Sequence, residues 1–239
     1  MTARLNLADL TIEVDRKPIK HLHLGVYPPD GRVRVAAPER MTMDAVRLFA
    51  ISKLPWIKRQ RQKLLAQARE APREYLERES HYVWGRRYLL NIVEADGRPS
   101  VELKHRKLQL RVRAEVEQAR YGEILDEWYR ASLRAAVEPL LYKWEPLLNV
   151  KVKRLFVQRM RTKWGSCNSE AKHVRLNTEL AKKPPECLEY ILVHELVHLR
   201  FRTHGPRFVA MMDAVLPQWR DLREMLNQLP LTDAAKIGK

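Results

Sequence analysis

No stretch of the 239-residue chain approaches the ~18 consecutive apolar residues that a membrane-spanning helix needs. Its first residues, Met1-Thr2-Ala3-Arg4-Leu5-Asn6, lack the apolar core of a secretory signal. Both absences predict a cytoplasmic protein with no membrane partner. Cysteine is scarce: Cys167 and Cys187 form no C-x-x-C pair, which excludes a disulfide framework and leaves two reduced, mostly buried thiols as the expectation. There is no internal repeat and no low-complexity linker. Acidic residues are under-represented, with 29 Asp and Glu against 45 Lys and Arg, a net charge of +16 and a pI near 10.1. Such a surface attracts polyanions such as nucleic acid, nucleotides or acidic proteins. The plainer alternative is a solvated basic face, because net charge alone does not locate a site.

What is present is an ordinary globular composition, 45% hydrophobic, in a chain long enough for one large domain or two small ones. The N-terminal part reads as strands. Thr11–Val14, Leu22–Val26 and Arg32–Val35 alternate apolar and polar residues, and Pro28-Pro29-Asp30-Gly31 is a turn signal. A helix capped by Thr42 follows, with Val46, Phe49, Ala50, Leu54 and Ile57 as its stripe; Pro55 marks a kink or a boundary, and a basic stretch from Lys58 to Arg69 extends it. A second strand region runs from about Tyr75 to Arg113, with a hairpin turn at Gly85-Arg86-Arg87. Tyr121 to Leu148 is a long helical pattern that Pro139 should kink or break. Val150–Val157 and His173–Leu176 read as strands, and Pro184-Pro185-Glu186 opens a helix through Leu199. Short helices follow Gly205-Pro206 and span about Gln218 to Leu226. The expected class is α+β: a strand-rich region with one long basic helix over 1–115, then a second region of strands and helices over 116–239, with a soft boundary.

The chemistry concentrates in His194-Glu195-Leu196-Val197-His198, an H-E-x-x-H motif. On a helix, positions i and i+4 lie one turn apart on one face, so two imidazoles can share one tetrahedral zinc. Glu195 leaves the helix about 100° round from His194, where its carboxylate can take a proton from the attacking water without being a ligand. The helical setting has independent support from the stripe Leu188, Ile191, Leu192, Leu196 and Leu199. The plainer reading, surface or core histidines with no metal, weakens because His204 follows at a turn marked by Gly205-Pro206 and can return to the same point. Three histidines leave a fourth position open, the mark of a catalytic site. The H-E-x-x-H-x5-H spacing is also that of metzincins, but Phe201 stands where those carry Gly. Met211 and Met212 follow too closely for a Met-turn, so that assignment is rejected.

A closer match is available. Met160-Arg161-Thr162-Lys163-Trp164-Gly165-Ser166-Cys167, then Leu176-Asn177, Tyr190, the His194–Leu199 segment, His204 and Phe208 occur in an order that resembles the YgjP-like family of metal-dependent hydrolases. That family is related to SprT-like and other zincin domains. The strong part of the match spans about residues 152–228; Lys163 stands where many relatives carry Arg, which keeps the charge and loses the bidentate fork. The resemblance implies a zincin-type catalytic half, a small sheet beside a metal-bearing helix. Relatives are generally regarded as metallopeptidases, and some as pyrophosphatases acting on nucleoside triphosphates, UTP in particular. The metal motif does not decide between them, because the same ligands serve attack on a carbonyl or a phosphoryl centre.

The remaining candidates carry two readings each. Trp164, Gly165, Ser166 and Cys167 either face substrate or pack the sheet onto the metal helix. Cys167 lacks any activating base and is not expected to be a nucleophile. Asn177 and Tyr190 orient ligands or simply pack and cap, and His173 reads as a surface strand residue. Arg161, Lys163, Arg175, Arg200 and Arg207 surround the motif in sequence and could bind phosphate or stabilise an oxyanion; each alone is more often a solvated charge. Three functions therefore stand: a zinc peptidase, a nucleotide pyrophosphatase on the same metal, or a basic nucleic-acid-associated module whose zinc is structural. Glu195 speaks against the last, since a structural site does not require it. The substrate is a peptide or protein in the first reading and a nucleotide in the second, and the basic surface offers non-specific nucleic-acid binding in any of them.

Overall fold

The computed structural model describes residues 2–7, 9–27, 31–66, 69–70, 73–160, 163–229 and 231–232. The chain divides into two compact units, 1–72 with 230–239, and 73–229.

In the first unit, β1 (Thr2–Leu7), β2 (Leu10–Lys17), β3 (His23–Tyr27) and β4 (Arg32–Pro38) form a sheet of order β1-β2-β4-β3. Only the central β2–β4 pair is parallel. Alternation decides the faces: Leu10, Ile12 and Val14 of β2 and Val33 and Val35 of β4 are buried, with polar residues between them. Helix α1 (Met43–Ser52) adds Val46 and Ala50 to that core and is capped by the Thr42 hydroxyl, which accepts from the Ala45 N–H at 3.3 Å. The chain breaks at Lys53 and restarts as α2 (Leu54–Ala66), so Pro55 sits at a boundary, in the first turn where its missing N–H costs nothing. A two-residue strand, β5 (Arg69–Glu70), pairs in parallel with the last strand, Leu231–Thr232. The turn expected at Pro28-Pro29-Asp30 lies outside the described residues.

The second unit holds two sheets. β6 (Ser80–Val83), β7 (Arg86–Glu94), β8 (Ser100–Lys104) and β9 (Lys107–Val112) lie in the order β6-β7-β9-β8. Val83, Leu90, Leu108, Leu110 and Val112 from this sheet share one core with Leu125, Leu133 and Val137 of α3 (Tyr121–Leu148). That shared core places the strand region of residues 80–112 with the C-terminal part, and the boundary expected near 115 falls instead at 72/73. Sequence patterning shows which face of a strand is apolar but not which neighbour covers it. Helix α3 is continuous over 28 residues through Pro139, so the chain does not break there. Pro139 and Ala135 both lie on the solvent face, so water can satisfy the Ala135 carbonyl that Pro139 leaves without an N–H.

The last segment of this unit comprises β10 (Arg154–Gln158), β11 (Gly165–Asn168), β12 (His173–Asn177), α4 (Pro185–His198), α5 (Pro206–Val215) and α6 (Trp219–Gln228); Leu231–Thr232 is β13. The three strands form a sheet of order β10-β12-β11, with β10 parallel and β11 antiparallel to β12. Strand β11 is therefore an edge, and α4 packs on β11 and β12. A single 3-10 turn, Thr178–Lys182, joins β12 to α4. The β6–β7 hairpin fixes that turn in place. Trp84 N–H donates to Ala181 O at 2.8 Å and Gly85 N–H to Lys182 O at 3.3 Å. Trp84 and Gly85 are the two turn residues, both at positive φ (50° and 75°), one residue before the position expected. Among the described residues, no helix is long and apolar enough to cross a membrane.

His81 on β6 is buried, 1% exposed, and burial, reinforced by Arg73 and Lys182, pushes its imidazole down to about 3. The fold therefore holds the neutral ring, whereas the unfolded chain titrates near 6.5. Its contribution is complete above pH 6.5 and disappears as pH falls toward 3, because the unfolded state then binds a proton that the fold refuses. A urea-denaturation series across that window is expected to show stability falling with acidification, His81 alone supplying up to about 1.4 kcal/mol per pH unit. The His81→Asn variant should show a flatter acid limb; an unchanged slope would contradict the assignment.

Candidate metal centre

Helix α4 supplies two of the three histidines. It begins with Pro185 in the first turn and is buried along Cys187, Leu188, Ile191, Leu192, Val193, Leu196 and Val197. His194 and His198 stand one turn apart on its half-buried edge, with ring centroids 4.9 Å apart. The chain leaves the helix at Leu199 and returns through Phe201 to His204, just before α5. His204 Nε2 lies 3.0 Å from both His194 Nε2 and His198 Nε2. Thus three ring nitrogens converge on one point, all within 4.8 Å of one another. Phe208, the third residue of α5 and 2% exposed, lies 4.7–4.9 Å from all three imidazoles by ring centroid and forms their floor. Tyr190, one turn before His194, meets its ring edge-on at 5.9 Å.

Proton positions follow from the partners. The Phe201 carbonyl can only accept, so His198 Nδ1, at 2.9 Å, carries the proton and donates it. The Nε2 of a neutral His198 is then bare, and it faces the other two. Burial, aided by the neighbouring histidines His198 and His204 and by Arg223, brings His194 down to about 3; burial also lowers His198, against the Phe201 hydrogen bond that raises it. His194 Nδ1 is buried without a hydrogen-bond partner among the described residues, so ring packing against Tyr190 and Phe208 fixes its orientation. Three imidazoles aimed at one point fit a divalent ion of borderline softness and leave room for a fourth ligand. These residues could hold zinc.

Glu195 lies outside this converging set. It is 6% exposed, and burial pushes its carboxyl up to about 7, with the Lys163 ammonium pulling the other way. Its cover is β11. A Cβ built on Gly165 would stand 2.7 Å from Glu195 Oε1 and 2.8 Å from its Cγ, so only glycine lets the edge strand close over this carboxyl. This is the physical content of the Trp164-Gly165-Ser166-Cys167 segment, which pattern alone left open. Burial, followed by the nearby Glu195, raises the Cys167 thiol to about 11, which agrees with its expected inertness as a nucleophile.

The three nitrogens and Glu195 open onto a cleft of about 560 Å3. Of the residues expected to meet substrate, Lys163 and Ser166 line it; Trp164, Arg175 and Arg207 do not. Trp164 packs against the core, which accords with the structural reading. Arg175, on the central strand, lies over the Phe156 ring at 5.1 Å. Arg207 is exposed on the first turn of α5. Arg161 lies outside the described residues. Asn177 is a brace: its side chain accepts from Met160 N–H and donates to the Met160 and Lys163 carbonyls, holding the approach to β11. Arg200, also named from sequence, donates to Leu148 O at 3.2 Å, away from the cleft. Sequence reasoning missed Glu170 and Arg202, which both line the cleft and pair at 2.9 Å. The position of Arg202 between His198 and His204 was an available signal.

Replacing Gly165 by alanine is expected to force β11 and the Glu195 side chain apart. A stability loss of roughly 1–3 kcal/mol in chemical denaturation is the scale for overpacking a close contact. A variant as stable as the parent would show that the contact is not tight.

Comparison with known proteins follows the same lines. The family described as YgjP-like, metallopeptidase domain, matches residues 21–229. No curated protein matches the chain. Among solved structures, the chain is similar to the metallopeptidase zymogen of Pyrococcus abyssi abylysin, with 21% identity over 38% of this chain and 90% of that one, at a TM-score of 0.35. It is also similar to the metallopeptidase zymogen of Methanocaldococcus jannaschii jannalysin, with 22% identity over 40% and 88% of the two chains, at a TM-score of 0.34. On the strength of the family match over most of its length, the chain belongs to the YgjP-like metallopeptidase domain family and is a metal-dependent hydrolase.

Proposed function

We propose that the protein is a zinc-dependent peptidase in which His194, His198 and His204 hold the metal and Glu195 is the general base. The observation that carries this reading is the convergence of three Nε2 atoms, His204 at 3.0 Å from each of the others, beside a buried carboxyl that is not one of them. When bound, zinc supplies Lewis acidity, polarising the scissile carbonyl and acidifying the attacking water. Glu195 takes the water proton at its carboxylate and hands it to the leaving amine nitrogen. Desolvation by β11 brings its proton affinity near neutrality, which suits a group that must both accept and donate. The Lys163 ammonium favours the ionised form, against the larger effect of burial. Edge strand β11, whose Gly165 to Asn168 all line the cleft, has no strand neighbour on its outer side among the described residues and offers that edge to an extended chain. An extended peptide suits this edge better than a compact triphosphate does.

The experiment compares parent, Glu195→Gln and His204→Ala on an unstructured protein and, in parallel, on the common nucleoside triphosphates. Glu195→Gln is expected to keep its zinc and lose about 10²–10⁴-fold in proteolytic rate, the scale of general acid–base assistance. His204→Ala should lose metal and activity together. Nucleotide hydrolysis without proteolysis would overturn the peptidase reading, and full activity in Glu195→Gln would overturn the base assignment.

A further inference from the structure

A second concave site lies in the same unit, away from the three histidines. Because β7 and β9 run parallel, with Leu89 opposite Lys107, the start of β7 and the β8–β9 turn meet at one end of their sheet. Leu89 N–H donates to Arg106 O at 3.1 Å and holds the turn against the strand. Between them is a groove of about 590 Å3 lined by Arg86, Arg87, Tyr88, Leu89, His105 and Arg106. Three guanidinium groups and an imidazole thus share one concavity with no carboxylate in its lining. Arg87 Nε donates to the Ser80 hydroxyl at 2.8 Å, which orients its fork without neutralising it. Arg86 and Arg106 are exposed and enter no ion pair among the described residues.

The chemistry of this groove selects its ligand. Planar forks match phosphate oxygens bidentately, and phosphates repeated along a backbone can engage several forks at once. Tyr88 and Leu89, both half-buried, give the groove an apolar component on which a base can stack. An acidic peptide could match the charge, but its backbone is neutral and carries no regularly repeated anion for the forks to follow. The charge of +16 on the whole chain adds long-range attraction for such a strand. We infer that the groove formed by Arg86, Arg87, Tyr88, His105 and Arg106 binds a single-stranded phosphodiester chain, RNA or DNA. The groove shares no lining residue with the histidine cleft.

The test is fluorescence anisotropy of the full chain with labelled single strands of roughly 20 nucleotides, longer than typical single-strand site sizes. RNA and DNA arms distinguish the two sources. The Arg86→Gln/Arg106→Gln variant, altered only at exposed side chains, is expected to bind at least ~10-fold more weakly. Its plot of log affinity against log salt should flatten by roughly 1.4, since each lost phosphate contact on a single strand removes about 0.7. A control, Arg47→Gln/Arg134→Gln, removes the same charge from exposed positions on α1 and α3 and should change both far less. Absence of binding by the parent, an equal loss in the control, or displacement by poly-glutamate as readily as by unlabelled strand would each overturn the inference. Zinc content and proteolysis, measured on the same samples, should be unchanged, so failure here is distinct from failure of the peptidase reading.

Discussion

A helix buried over most of its circumference resists rolling. Helix α4 runs through the core with Leu188, Leu192, Val193, Leu196 and Val197 all nearly inaccessible, and the position of the cleft depends on that enclosure. A rotation of one residue, about 100°, would bring Leu196 where Glu195 stands and carry both histidines off the converging point. Three contacts hold the register. The β6–β7 hairpin binds the turn that precedes the helix, through Trp84 and Gly85. Strand β11 closes on Glu195 at Gly165. Phe208 rests against all three imidazoles from the other side. The hairpin contact is close: a methyl group added at Gly85 would meet Pro184 at 3.0–3.2 Å.

One physical condition, removal from water, tunes the groups around the cleft in a common direction. Burial raises Glu195 to about 7, lowers His194 to about 3 and raises Cys167 to about 11. Each shift favours the neutral form. Neutral imidazoles are what a metal requires of its ligands, and a carboxyl near neutrality is what a proton carrier requires. A thiol held far from thiolate does not compete with the histidines for the ion. Among the described residues, the positive charges that line the cleft are Lys163 and Arg202, the latter paired with Glu170.

The parts of the structure that local pattern specifies were legible in the sequence. Helix α3 has the ends expected from its stripe, and α4 and the three converging histidines follow from the i, i+4 rule plus a turn at Gly205-Pro206. What was not legible depends on which faces meet. The strands of 80–112 looked like a continuation of the N-terminal strands, yet they pack under α3, because alternation does not name its partner. Arg175 lay close to the motif in sequence but sits on the central strand over Phe156. Arg202 and Glu170 line the cleft because the β11–β12 turn and the loop after α4 face each other, a juxtaposition no spacing encodes. The role of Gly165 against Glu195 is of the same kind.

The most direct test of the metal centre is X-ray absorption at the zinc edge of the full chain loaded with one equivalent of zinc. Three imidazole nitrogens at roughly 2.0–2.1 Å with one further light scatterer are expected, and no sulfur. A sulfur shell near ~2.3 Å, or fewer than three imidazoles, would contradict coordination by His194, His198 and His204.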